Sequence, residues 1–134
     1  MIYDFDNYDL EDVDYDFSNL MEYQTGIKGV LTIYTKFPNQ IPNLLYYKST
    51  EDISLTKFIR VSISNTPDVV QDKFNIVKEI DNQMIDDILK WVTLNYQSLL
   101  FIWDNGIDIL KKNDLGNLYL LIEQFNLKFI KINL

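Results

Sequence analysis

The chain contains no histidine and no cysteine. Without histidine it lacks the side chain that most often moves protons near neutral pH and most often ligates transition metals. Without cysteine it has no disulfide, thiolate metal site or thiol nucleophile, a composition that suits a reducing compartment and makes a cytoplasmic location the expectation. Alanine is absent too, while asparagine, isoleucine and lysine abound, as in the proteins of AT-rich bacteria, phages and mobile elements. The four glycines, at 26, 29, 106 and 116, punctuate the chain and form no phosphate-binding loop, and there is no nucleophile elbow or metalloprotease helix motif. No apolar run approaches the roughly 18 residues of a membrane span, and the N-terminus is acidic where a signal peptide is basic. A soluble, non-enzymatic protein with no cofactor and no metal is expected.

What is present divides unevenly. Of the 134 residues, 47 % are hydrophobic and 24 % charged, values of a globular domain. The net charge of −8 resides in the first 22 residues, in Asp4, Asp6, Asp9, Glu11, Asp12, Asp14, Asp16 and Glu22, and no basic residue precedes Lys28. The rest of the chain balances twelve acids against twelve bases. Among those early carboxylates stand Tyr3, Phe5, Tyr8, Tyr15, Phe17 and Tyr23. The composition therefore divides the chain into an acidic, aromatic arm over 1–24 and a single domain over 25–134.

Hydrophobic periodicity assigns the elements of that domain. The β-branched and aromatic run before Pro38 predicts a strand over 28–36, and residues 41–48 predict a second strand antiparallel to it. In 57–64, Ile59, Val61 and Ile63 alternate with Arg60, Ser62 and Ser64, the pattern of a half-buried strand closed by the turn Asn65-Thr66-Pro67-Asp68. A long helix over 82–104 follows from Met84, Ile85, Ile88, Leu89, Trp91, Val92, Leu99, Ile102 and Trp103, with Asp81 or Asn82 as its cap and Asp104-Asn105-Gly106 as its stop. Trp91, Tyr96, Phe101 and Trp103 are read mostly as core or subunit-contact residues, and Trp91 and Trp103 fall about 120° apart around this helix, so one can be buried while the other serves an edge or an interface. A short helix within 115–125 and a last strand over 127–134 complete an α+β fold, a small antiparallel sheet against one long helix.

Few constellations point to chemistry. Asp86 and Asp87 project about 100° apart on a helix and make no catalytic dyad. Asp12-x-Asp14-x-Asp16 has the spacing that opens a calcium loop, but Phe17 and Tyr23 occupy the positions that require Gly and Glu. The basic residues are scattered, so direct nucleic-acid binding is not expected. The arm is read either as a solvated leader that docks its aromatics on the body or as a recognition segment. As a recognition segment, its acids steer it to a basic surface and its aromatics anchor it. The candidate contact residues are Tyr3, Asp4, Phe5, Asp6, Tyr8, Asp9, Asp12, Asp14, Tyr15, Asp16 and Phe17.

The segment 88–106, with Trp91, Asn95, Leu99-Leu100, Trp103 and Asn105-Gly106, resembles the C-terminal helix of a group of small bacterial proteins of unknown function, often encoded near toxin–antitoxin or other mobile-element genes. The stretch Val61-Ser62-Ile63-Ser64-Asn65-Thr66-Pro67 is similar to the strand and turn before that helix. The resemblance implies a sheet-plus-helix body and a mobile-element context. One such family carries an N-terminal histidine motif, which this chain replaces with its acidic arm. The expected function is an inhibitor of the antitoxin, immunity or anti-defence type that binds a basic surface of another protein, such as a nuclease, with nucleic-acid mimicry as one form of that reading. The alternative is a self-assembling structural or accessory protein of a phage or mobile element, its aromatic helix forming a homo-oligomer contact.

Overall fold

The computed structural model describes residues 17–35, 39–112, 118–124 and 127–132. Five strands follow one another as an antiparallel meander: β1 (Phe17–Leu20), β2 (Val30–Tyr34), β3 (Asn43–Tyr47), β4 (Ile59–Ser62) and β5 (Val69–Gln71). Two short helices, α1 (Glu22–Thr25) and α2 (Thr50–Ser54), lie in the connections, and α3 (Asn82–Lys112) and α4 (Leu118–Gln124) follow the sheet. This is the expected α+β fold, with β2, β3 and β4 inside the anticipated ranges.

Two strands lie outside the sequence assignment. Phe17–Leu20, placed with the arm, pairs with β2 from Phe17↔Tyr34 to Leu20↔Leu31, so the folded body begins no later than Phe17. The turn after β4 leads into β5, a strand of only three residues and too short to register as an alternation.

Pairing register fixes which side chains share a face. Leu20, Leu31, Ile33, Leu44, Tyr46, Ile59 and Val61 fall on one side and join Ile88, Trp91, Val92, Leu99 and Ile102 of α3 in the main core. The buried positions of α3, namely 87, 88, 91, 92, 95, 99, 102, 103 and 106, recur at three- and four-residue intervals, the stripe of a helix lying on a sheet. Asp81 caps this helix by accepting the Met84 N–H on Oδ1 at 2.7 Å.

Val30, Tyr34, Leu45 and Tyr47 form a second cluster on the opposite face, to which Trp103 contributes from α3. The sheet is therefore buried on both sides. One expectation changes as a result. Strand β4 is not half-exposed, because Arg60 on its polar side is only 3 % exposed. Both tryptophans are buried, each in a different cluster, Trp91 in the main core and Trp103 against Tyr34 with ring centroids 5.5 Å apart.

The end of α3 also differs. The helix continues through Asp104-Asn105-Gly106 to Lys112, and Gly106 serves close packing, since a Cβ there would stand 2.5 Å from Thr35 Cγ2. The expected last strand is absent among the described residues 127–132. Asn95 holds this segment instead, its Nδ2 donating to the Ile130 carbonyl at 3.0 Å and its Oδ1 accepting the Ile130 N–H at 2.6 Å. The Ile132 N–H then donates to the Thr25 carbonyl at 2.9 Å. That carbonyl lies beside Gly26, whose φ of 82° and near contact with Ile132 O leave no room for a Cβ.

Candidate partner-binding site

Of the candidate contact residues, Tyr3, Asp4, Phe5, Asp6, Tyr8, Asp9, Asp12, Asp14, Tyr15 and Asp16 lie outside the described residues. Phe17 opens edge strand β1, 51 % exposed, directly across from Tyr34. By the pairing register Phe17 falls on the second sheet face, with Tyr34 as its cross-strand neighbour and the polar groups of β3 and β4 beyond.

At the centre of those groups is Arg60, placed by β4 opposite Leu45 of β3 and Gln71 of β5. Its Nη1 donates to Tyr34 Oη at 2.6 Å and to Asn43 Oδ1 at 2.8 Å, and its Nε donates to Gln71 Oε1 at 2.8 Å. Tyr34 Oη in turn donates to Asn43 Oδ1, and Asn43 Nδ2 donates to the Ile41 carbonyl at 2.7 Å. The guanidinium lies over the Phe58 ring, 5.3 Å from its centroid, a cation–π arrangement that holds the plane in place. Burial pushes the Tyr47 phenol upward and the Arg60 charge draws it partly back.

A cleft of about 960 Å³ opens elsewhere, lined by Glu22, Tyr23, Lys28, Asp81, Asp87 and Lys131 among others. Its lining includes three carboxylates, Glu22, Asp81 and Asp87, and two ammonium groups, Lys28 and Lys131. Asp87, 8 % exposed, accepts from Gln83 Nε2 at 3.0 Å. Nearby, Tyr46 Oη donates to the Lys28 carbonyl at 2.7 Å. Burial, then the negative charges of Asp52 and Asp81, push its phenol up to about 12. Among the described residues no group of three or more carboxylates is placed to hold a metal ion, and no helix is long and apolar enough to cross a membrane.

Sequence reasoning did not single out Arg60, Tyr34 or Asn43. The one available signal was a lone arginine in an otherwise Ile/Val/Ser strand, which reads equally as a solvent-facing residue until the opposite face is known to be buried. Comparison of the chain with protein-family models, with curated proteins and with solved structures finds no match, so geometry and charge carry the functional reading.

Proposed function

We propose that this protein is a non-enzymatic binding protein of the inhibitor, antitoxin, immunity or anti-defence type, which engages a basic surface of another protein through its N-terminal arm. The observation that carries the reading is the segregation of charge: the whole of the −8 lies in residues 1–22, interleaved with aromatics, ahead of a neutral body. Clustered acids accelerate encounter with a basic surface, and aromatics supply contact area once it is met. Where the partner is a nuclease, the arm would occupy the groove that receives nucleic acid. The resemblance of residues 61–106 to small bacterial proteins of unknown function, often encoded near toxin–antitoxin or other mobile-element genes, is in keeping with the same setting.

Capture from a bacterial lysate tests this reading. The full chain is compared with a variant carrying Asn at Asp4, Asp6, Asp9, Asp12, Asp14 and Asp16, at low and high salt. Neutralisation is preferred to removal of residues 1–22, which would strip edge strand β1 from the sheet. The expected result is one basic protein captured by the unaltered chain, lost at high salt and lost in the variant. An identical set of proteins under all conditions would remove the arm from the mechanism.

The self-assembly reading draws on a separate observation. Leu94 and Phe101 are 43 % and 38 % exposed and stand seven residues apart on α3, hence on one helix face. Mass that rises with concentration and falls in Leu94→Lys would favour that reading.

A further inference from the structure

We propose that the solvent face of α3 is a contact between two copies of this chain, crossed antiparallel about a two-fold axis so that Leu94 of each copy meets Phe101 of the other. This rests on the self-assembly reading and gives it an occupant and a geometry.

The exposed positions of α3 include Lys90, Leu94, Gln97, Phe101, Asp104 and Asp108. They recur at three- and four-residue steps, which keeps them on one stripe opposite the core. Leu94 and Phe101 hold the middle of that stripe, 43 % and 38 % exposed. Asn95, the residue after Leu94, holds the backbone of Ile130, a third apolar residue and 56 % exposed.

The order of these residues along the helix matches itself under a two-fold rotation. Leu94 and Phe101 are equidistant from the point between Gln97 and Ser98, so an axis there exchanges them and one copy's Leu94 lies on the other's Phe101. The same axis carries Lys90 to Asn105 of the second copy, a position flanked by Asp104 and Asp108.

Charge selects the second copy as occupant. Along the stripe Lys90 precedes the apolar pair, and Asp104 and Asp108 follow it. Antiparallel crossing sets each Lys90 against the acids of the other copy. A parallel pair would set Lys90 against Lys90 and four carboxylates against one another. Asp86 stands about 17 Å from the axis at about 1.5 Å per residue, where inclined helices have diverged. Within the chain these charges are not consumed, since the ion pair found among the described residues joins Lys48 and Glu79.

Sedimentation equilibrium on the purified full chain tests the contact. The average mass is expected to rise from monomer to dimer with concentration, below about 1 mM. Leu94→Lys should abolish the dimer, which tests the self-assembly reading itself. Lys90→Glu should weaken it at least about tenfold, and Asp104→Lys combined with Asp108→Lys should do the same, because each turns facing opposite charges into like ones. All four positions are exposed, so the variants keep the fold. An equimolar mixture of the two charge variants should recover the association of the unaltered chain, each lysine again facing carboxylates. Dimerisation unchanged by Lys90→Glu would overturn the antiparallel contact and leave self-assembly standing. A chain that stays monomeric to about 1 mM would overturn both.

Discussion

Asn95 stands where a neighbouring strand would, using one side-chain amide to satisfy both the N–H and the carbonyl of Ile130. Asn95→Ala leaves those groups without their partner, and is expected to lower unfolding free energy by about 2 kcal/mol. Urea denaturation measures this, and Asn95→Asp, which accepts but cannot donate to the carbonyl, should recover only part. Tyr46 gives a pH signature. Its phenol titrates near 10 in the unfolded chain and near 12 when folded. The native state therefore holds its proton more tightly, and the stability this confers is fully present below pH 10 and lost as pH rises towards 12. Denaturation midpoints should fall across that window, and fall less steeply in Tyr46→Phe. The raised phenol of Tyr47 acts in the same direction and leaves a residual slope.

Among the elements, α3 shows what was legible and what was not. Its apolar stripe was readable because three- and four-residue spacing persists from Ile88 to Trp103. Its end was not, because Asp-Asn-Gly signals a stop in a free helix, and here Gly106 is retained by contact with Thr35. Gly106→Ala is expected to destabilise the fold by about 1–3 kcal/mol through overpacking despite alanine's better helix propensity. In a Thr35→Ala background the same change should become neutral or stabilise by up to about 1 kcal/mol, since the methyl that blocks it is gone. A double-mutant cycle by thermal or chemical denaturation reads the coupling, and equal effects in the two backgrounds would dissociate Gly106 from Thr35. Strand β4 illustrates a different limit. The alternation of Ile59, Val61 and Ile63 located the strand and its core face, yet alternation cannot show whether the other face meets water or protein. Arg60 therefore read as a surface residue. The last strand misread for a related reason: Leu127–Ile132 has strand-like composition, but the backbone partners described for it are the Asn95 side chain, the Ile122 carbonyl of α4 and the Thr25 carbonyl of α1.

For the whole molecule, charge asymmetry was fully legible, and it carries the proposed function: eight acids and no base occupy residues 1–22, and twelve acids balance twelve bases in the rest of the chain. An exposed encounter with a basic partner is screened over a Debye length of about 8 Å at physiological salt, so raising salt should prevent partner capture. The most direct test of the central claim compares capture of a basic partner by the unaltered chain and by the variant neutralised at Asp4, Asp6, Asp9, Asp12, Asp14 and Asp16, at low and high salt. Salt-sensitive capture by the unaltered chain alone is the predicted result, and an identical set of captured proteins under all conditions would contradict the account.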